Sequence, residues 1–518
     1  MKDVSPRSAV AVLALAFAWL AFTAWLRPLS LPDEGRYIGV AWEMVRSGEW
    51  LTPTLDGLPY FHKPPLFYWI GAAVLSIVGN HEWAGRVAPW LGACLAAASC
   101  YLFGRLHGGE RLARGWLLVL VTMPLVFVSA QYANLDMLVA GCITASILAF
   151  AHAALLDRTD PARRNALLLG YAATALGVLA KGLIGIVLPG LVLVVWLLLC
   201  RRPMQILRLL WWPGLLLFLL LAGPWFLVMR ERFPDFLHYF FVVQHFSRYT
   251  QQGFNNAQPF WFFPAVLALF GLPWTAWLLR RRPGTDAPTD AGADTPQVRL
   301  LMWVWLVAIV GFFSLPASKL VGYVLPAAAP LAFLIADRWL ALRDAGRAGR
   351  LAASTGPVAA VLCVAAIVGT LFVPQKSARG LAPALAPHAG EPIVFLHGYF
   401  FDLPFYARLH APVVVIDQWD DPALTRADNW RRELLDAAEF IGGKPSPLLL
   451  PSVLQQANCP GARSWVVGTE ESGKRYPLLA GARRTATSGP NVLWEVRDWV
   501  PVASGCAGTP SASSGRTS

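Results

Sequence analysis

Apolar runs long enough to cross a bilayer recur along the chain at roughly 9–26, 87–103, 115–130, 135–155, 166–181, 183–200, 208–229, 259–279, 298–316, 320–336 and 354–373. They predict a polytopic α-helical membrane protein with about eleven transmembrane helices. The first run follows Lys2 and Arg7, yet no small-residue cleavage site precedes Arg27, so a retained helix is expected rather than a signal peptide. Between the runs, arginines fall in small groups: Arg105/Arg111/Arg114, Arg158/Arg163/Arg164, Arg201/Arg202/Arg208, Arg280/Arg281/Arg282 and Arg338/Arg343/Arg347/Arg350. Alternating connections put every group on the cytoplasmic side, as the positive-inside rule requires. Residues 28–86, 131–135, 230–258, 317–319 and everything after 373 are then outside.

Two stretches of the first outer loop have their own patterns. Between Glu34 and Ser47, Tyr37, Val40, Ala41 and Met44 recur at helical spacing and Gly48 stops the run, which predicts a surface helix. Pro64–Gly79 is apolar but short, and counting it as a span would invert the Arg105–Arg114 group. A helix lying at or dipping into the outer interface is expected instead. Residues 283–297, rich in Pro, Gly, Thr and Asp, read as a flexible cytoplasmic loop. Beyond 373 the runs 392–396, 413–416 and 464–467, with a helical stretch near 430–440, predict a small α/β domain. The expected division is a membrane domain over 1–373, including the first outer loop 28–86, an outer α/β domain over 374–505, and a disordered tail over 506–518. No internal repeat is visible, which weakens a secondary-transporter reading.

Composition agrees with lipid as the solvent: of 518 residues, 56% are hydrophobic and 14% charged. The net charge of +12 resides largely in the topology arginines, so nucleic acid is discounted as a partner. Cys94, Cys100, Cys142, Cys200 and Cys363 lie in apolar segments without metal spacing, whereas Cys459 and Cys506 lie in the polar portion and could pair in an oxidising compartment.

Lysine usage carries the chemistry. After Lys2, the membrane region has only Lys63, Lys181 and Lys319, all on the outer side and each in a short connection. Snorkelling to headgroup phosphates is open to any one of them. The acids Asp33, Glu34 and Asp136 lie on the same face. Asp33 and Asp136 also suit helix N-caps, and Glu34 suits a first turn. Capping leaves unexplained why acids, lysines and His62 recur beside Tyr60, Tyr68 and Trp69. His245 adds a candidate metal ligand or hydrogen-bond donor. Cations facing carboxylates at a membrane surface suit glycosyl transfer from a lipid phosphate: the cations stabilise the departing phosphate and a carboxylate serves the acceptor.

Leu31-Pro-Asp-Glu-Gly-Arg-Tyr37, Trp42-Glu-Met44, Ser47-Gly-Glu-Trp50 and Tyr60-Phe-His-Lys-Pro64 resemble the first outer loop of the lipid A aminoarabinose transferases. These are GT-C glycosyltransferases related to the protein O-mannosyltransferases. The resemblance continues through Asn134-Leu-Asp136, Ala180-Lys-Gly182, His245 and Ser318-Lys-Leu-Val-Gly-Tyr323, covering most of residues 28–330 in order. It implies a multi-pass enzyme of the bacterial inner membrane with a periplasmic active site. Such an enzyme moves a sugar, 4-amino-4-deoxy-L-arabinose in that family, from undecaprenyl phosphate to lipid A or a related envelope glycan. Asp33 is implied as the principal catalytic carboxylate, with Asp136 a second active-site acid. Lys63, Lys181 and Tyr323 are implied phosphate contacts, and Tyr60 shapes the lipid pocket; Glu34, Arg36 and Lys319 complete the expected substrate-binding set. In the relatives a Glu at the position of His62 accompanies the residue matching His245 at a bound metal. Here two imidazoles would offer an open, weak site for a divalent ion, zinc or magnesium. The change also removes a negative charge suited to a cationic amino sugar, which leaves the sugar open. A protein O-glycosyltransferase, a lipid-linked sugar flippase and a headgroup-binding scaffold are the alternative readings.

Overall fold

A computed structural model describes residues 6–247, 256–281, 295–373, 377–424, 429–442, 445–455 and 459–501. The chain forms two compact units, one of residues 1–28 and 61–374, the other of residues 29–60 and 375–518. The expected cytoplasmic loop lies mostly outside the described residues, and the expected tail entirely so.

The first unit is helical, and its described residues include six helices long and apolar enough to cross a membrane: Val87–Val121, Leu135–Leu155, Trp212–Arg232, Pro296–Ser314, Val321–Asp344 and Leu351–Thr370. Arg7–Ala21, Leu66–Val78 and Ile184–Leu199 are shorter apolar helices. The chain is a multi-pass membrane protein. Several expected runs are interrupted where the backbone demands it. Non-helical Gly109 (φ 77°) breaks Val87–Val121 inside the Arg105–Arg114 group. The run at 259–279 becomes an α-helix over Phe262–Phe270 and a 3₁₀ turn over Trp274–Leu279 after Pro273. The run at 320–336 opens as a 3₁₀ segment, Val321–Ala327, because Pro326 has no N–H to continue an α-helix behind it. Leu66–Val78 has 13 residues, about 20 Å of helix against a hydrocarbon core of about 30 Å.

Leu135–Leu155 is the centre of this unit, with nearly every residue buried. It packs on Val87–Val121 and Pro161–Lys181. A Cβ at Gly141 would run into the backbone of Gly92, and one at Gly92 into the backbone of Met137 and Leu138. Two glycines thus let these helices touch backbone to backbone, the packing that membranes favour. Past the C-terminal end of the first helix, buried Arg86 donates to the carbonyls of Ala24 (2.6 Å), Arg27 (3.0 Å) and Pro28 (2.9 Å). Arg27 in turn donates to Gln131 O at 2.7 Å. These guanidinium groups satisfy carbonyls that a chain leaving its helix would otherwise bury unpaired.

The second unit holds a hairpin of β1 (Thr54–Leu55) and β2 (Leu58–Pro59) and a six-stranded sheet. The sheet comprises β3 (Ile393–Leu396), β4 (Val414–Ile416), β5 (Leu448–Leu449), β6 (Arg463–Thr469), β7 (Arg483–Ser488) and β8 (Asn491–Arg497), in the order β5-β4-β3-β6-β8-β7. β5, β4, β3 and β6 run parallel; β8 pairs antiparallel with β6 and β7. Val394, Leu396, Ile416, Val466 and Trp494 fill one side of it. The first-loop segment packs into the same unit: Leu29 N donates to the Tyr406 hydroxyl at 3.1 Å and Val413 N to Asp56 Oδ1 at 2.8 Å. Cys459 is disulfide-bonded; Cys506 lies outside the described residues.

Candidate active site

The Asp33–Ser47 helix begins after Pro32, so Asp33 is its first residue and not its N-cap. Glu34, fully buried in the first turn, accepts with its Oε2 from Ser30 N at 2.8 Å, tying the helix to the chain that leads into it. Arg36, one turn on, pairs with Glu433 at 3.0 Å and reaches Asp33 only at 4.0 Å. Burial works against its charge, but Glu433, Tyr60, Tyr37 and Asp33 together hold the guanidinium well above its ordinary value. Asp33 keeps a third of its side chain exposed, 33%, and is the carboxylate of this helix open to a substrate. Tyr60 is buried, its N–H donating to Pro53 O at 2.8 Å.

On the same helix Glu43 anchors the hairpin. It accepts from Asp56 N (2.6 Å), Gly57 N (3.0 Å) and Thr54 Oγ1 (2.8 Å). Burial pushes its carboxyl up, and burial together with Glu43 pushes Asp56 well up.

In the first unit the structure brings together Asp136, Lys181 and Tyr323. Asn134, and not Asp136, caps Leu135–Leu155, its side chain accepting from Asp136 N at 2.9 Å. That frees the Asp136 carboxylate, in the first turn, to pair with Lys181, the last residue of Pro161–Lys181. Each charge sits at the helix end whose dipole favours it. The ammonium also lies 4.5 Å from the Tyr323 ring centroid. Gly322 backs the pair: a Cβ there would overlap the Asp136 carboxylate.

Lys319 is placed differently. It is buried, and its Nζ donates to the carbonyls of Pro316 (2.6 Å) and Gln258 (2.8 Å), tying two chain segments already joined by an Ala257–Ser318 bridge. Lys63 is half-buried in the turn before Leu66–Val78. His62 is buried, with Nε2 2.9 Å from the Tyr239 hydroxyl, which also accepts from Gln244 Nε2 at 2.8 Å. The side chain of His245 lies outside the described residues.

Comparison with known proteins decides the family. Residues 30–240 match the model for dolichyl-phosphate-mannose-protein mannosyltransferases. The undecaprenyl phosphate-α-4-amino-4-deoxy-L-arabinose arabinosyl transferase of Aeromonas hydrophila is 30% identical over 374 residues, 70% of this chain and 67% of that one. The chain belongs to this arabinosyl transferase family. The corresponding enzyme 1 of Sodalis glossinidius is 35% identical over 316 residues, 60% of this chain and 55% of its own length. In fold, the chain is similar to the ArnT crystal structure from Cupriavidus metallidurans bound to undecaprenyl phosphate. The TM-score is 0.76 at 24% identity, over 95% of this chain and 98% of that one. The family fixes the class: the chain is a membrane-embedded GT-C glycosyltransferase.

The family's metal finds little support in the residues present. Among the described residues no group of three or more His, Cys, Asp and Glu side chains could hold an ion. Nε2 of His62 is already engaged by Tyr239.

Sequence reasoning passed over Gly322, Glu43, Tyr239 and Arg86. Gly322 stands inside a quoted motif but its neighbour Asp136 lies far along the chain; Glu43 likewise stands in a motif, and its partners Thr54, Asp56 and Gly57 reach it only once the hairpin folds back. Only the Asp56-Gly57 pair carried a local signal, since Asp-Gly between short apolar runs favours a tight hairpin.

Proposed function

We propose that this family member transfers 4-amino-4-deoxy-L-arabinose from undecaprenyl phosphate to a lipid A phosphate at the periplasmic face of the inner membrane. The observation that carries the reading is the Asp136–Lys181–Tyr323 cluster: a lysine oriented by a carboxylate and an aromatic ring at a helix end, in a protein of this family.

An acceptor phosphate oxygen attacks the anomeric carbon, the bond from that carbon to the donor phosphate oxygen breaks, and undecaprenyl phosphate departs with the electron pair. Lys181, with Lys63 and the Tyr323 hydroxyl, offsets the charge gathering on the leaving phosphate. Asp136 keeps the ammonium in place; an ammonium has three donors, enough for a carboxylate and a phosphate together. A phosphate acceptor is ionised at neutral pH and needs no general base. Asp33 therefore balances the positive charge developing at the anomeric carbon. Tyr60 lines the path of the isoprenoid chain, and Glu34 and Arg36 hold the Asp33 turn. Residues 374–505 form the periplasmic domain of this enzyme.

The test is transfer by the purified full chain from labelled undecaprenyl-phosphate sugars, with lipid A and an unfolded protein as alternative acceptors. Transfer of the aminopentose to lipid A, abolished by Asp33→Asn, is expected. Transfer to the protein acceptor instead would establish the O-glycosyltransferase reading that the match to the mannosyltransferase model also permits, and full activity of Asp33→Asn would remove that residue's role.

A further inference from the structure

The parallel part of the six-stranded sheet reverses direction of build at β3: the chain passes from β3 to β4 and β5 on one side, then returns to lay β6 on the other. In open α/β sheets, the crevice beyond the strand C-termini at such a reversal is where ligands bind. Here it is a cavity of about 250 Å³. His397 follows β3, Asp417 follows β4 and Thr469 ends β6, all lining it.

Its floor is a polar network around His397 and Asp417. His397 Nδ1 is 2.8 Å from Asp417 Oδ1, and Nε2 is 2.6 Å from the Tyr476 hydroxyl. Asp417, 1% exposed, also accepts from Gln418 N at 2.9 Å, and its Oδ2 lies 2.7 Å from Arg431 Nε. Burial opposes the charge on Asp417, but His397, Gln418 N and Arg431 outweigh it and hold the carboxyl below its ordinary value. His397 has a left-handed backbone (φ 54°), unusual for a residue with a Cβ, and its N–H is fixed to Ile416 O at 2.9 Å. Strain of this kind concentrates where a side chain must be aimed.

We propose that this cavity is a carbohydrate-binding site for a single hydroxyl-rich ring. Three features select that chemistry. The floor is electrically balanced, since Arg431 answers Asp417, and the rim adds one exposed residue of each sign, Glu471 and Arg475. A net-neutral ligand suits that field. The rim offers N–H donors on Gln418 and Arg475 beside oxygen acceptors on Glu471, Thr469 and Ser472, a mixture that hydroxyls, donors and acceptors at once, satisfy fully. The volume falls just below the range of about 300–1,000 Å³ usual for drug-sized ligands, room for one ring. The inference goes beyond the proposed transfer reaction and does not depend on it.

The test is saturation-transfer NMR on the full chain in a zwitterionic, sugar-free detergent, titrated with glucose, galactose, arabinose and glucosamine, with inorganic phosphate as competitor. At least one sugar should bind. Arg475→Ala and Glu471→Ala, with unchanged melting temperature, should each weaken binding at least about fivefold, as loss of a charged hydrogen bond does. Tyr323→Phe, in the other unit, should leave it unchanged. Absence of binding by every sugar, wild-type affinity in both rim variants, displacement by phosphate, or loss in Tyr323→Phe at unchanged melting temperature would each overturn the proposal.

Discussion

Replacing Lys181 by methionine removes the ammonium but keeps an unbranched chain of similar length. Asp136 then loses its cation with its side chain only 8% exposed. Breaking a buried ion pair typically costs about 3–5 kcal/mol, and the 14% exposure of the lysine side chain points to the lower part of that range. Asp136→Asn in the same chain removes the stranded charge, and the double variant should recover at least about 1 kcal/mol as coupling energy. Catalysis should behave differently. A charge-assisted hydrogen bond to the donor phosphate is worth about 1.5–3 kcal/mol, or about 10- to 150-fold in kcat/KM. No asparagine at 136 restores it. Thermal unfolding of the full chain in detergent, beside transfer kinetics with labelled undecaprenyl-phosphate sugar, separates the two effects. Lys181→Met should be both unstable and slow, and the double variant stabler but equally slow. A double variant that transfers at close to the wild-type rate would refute the reasoning, because the pair would then only join two helices.

Gly322→Ala places a methyl group 2.6 and 2.9 Å from Asp136 Cγ and Cβ, so the carboxylate must leave Lys181; kcat/KM should fall at least about tenfold, and an unchanged value would contradict the geometry. Tyr323→Phe keeps the ring 4.5 Å from Lys181 Nζ but loses the hydroxyl, so a loss of about tenfold is expected; Tyr323→Ala should lose more, through the cation–π contact as well. Asp56 has a folded-state carboxyl value raised by burial and by Glu43. Its contribution to stability is therefore fully present below about pH 4, the unfolded value, and is lost as pH rises through the raised folded value. Asp56→Asn tolerates the same left-handed backbone (φ 56°). The melting temperature of Asp56→Asn relative to wild type should rise as pH increases, and a constant difference would argue against a raised value.

What the sequence shows and what it hides divide along the range of the interactions. The helix ending at Gly48 and strands β3, β4 and β6 were legible because periodicity and turn residues are local signals. The three lysines of the membrane region were legible as an oddity of composition, but their fates were not. Lys181 meets Asp136 45 residues away, whereas Lys319 meets the carbonyl of Gln258 at a separation of 61. Both stand in short connections between apolar runs, and only the fold distinguishes a lysine facing a carboxylate from one pinning backbone. The cap is a local matter: Asn134 stands two residues before Asp136 and takes it, freeing the acid. At Asp33 the preceding proline starts the helix and Glu34 reaches back to Ser30. Glu43 takes its role from the hairpin that closes upon it, a role that no local pattern announces.

The central claim, transfer of a sugar from a polyprenyl phosphate to lipid A, is tested most directly by mass spectrometry of lipid A from cells lacking this protein and supplied with either the wild-type chain or Asp33→Asn. The account predicts an aminopentose-sized adduct on lipid A with the wild-type chain and none with Asp33→Asn or without the protein. Lipid A of identical mass in all three cells, with the sugar appearing on another acceptor, would contradict it.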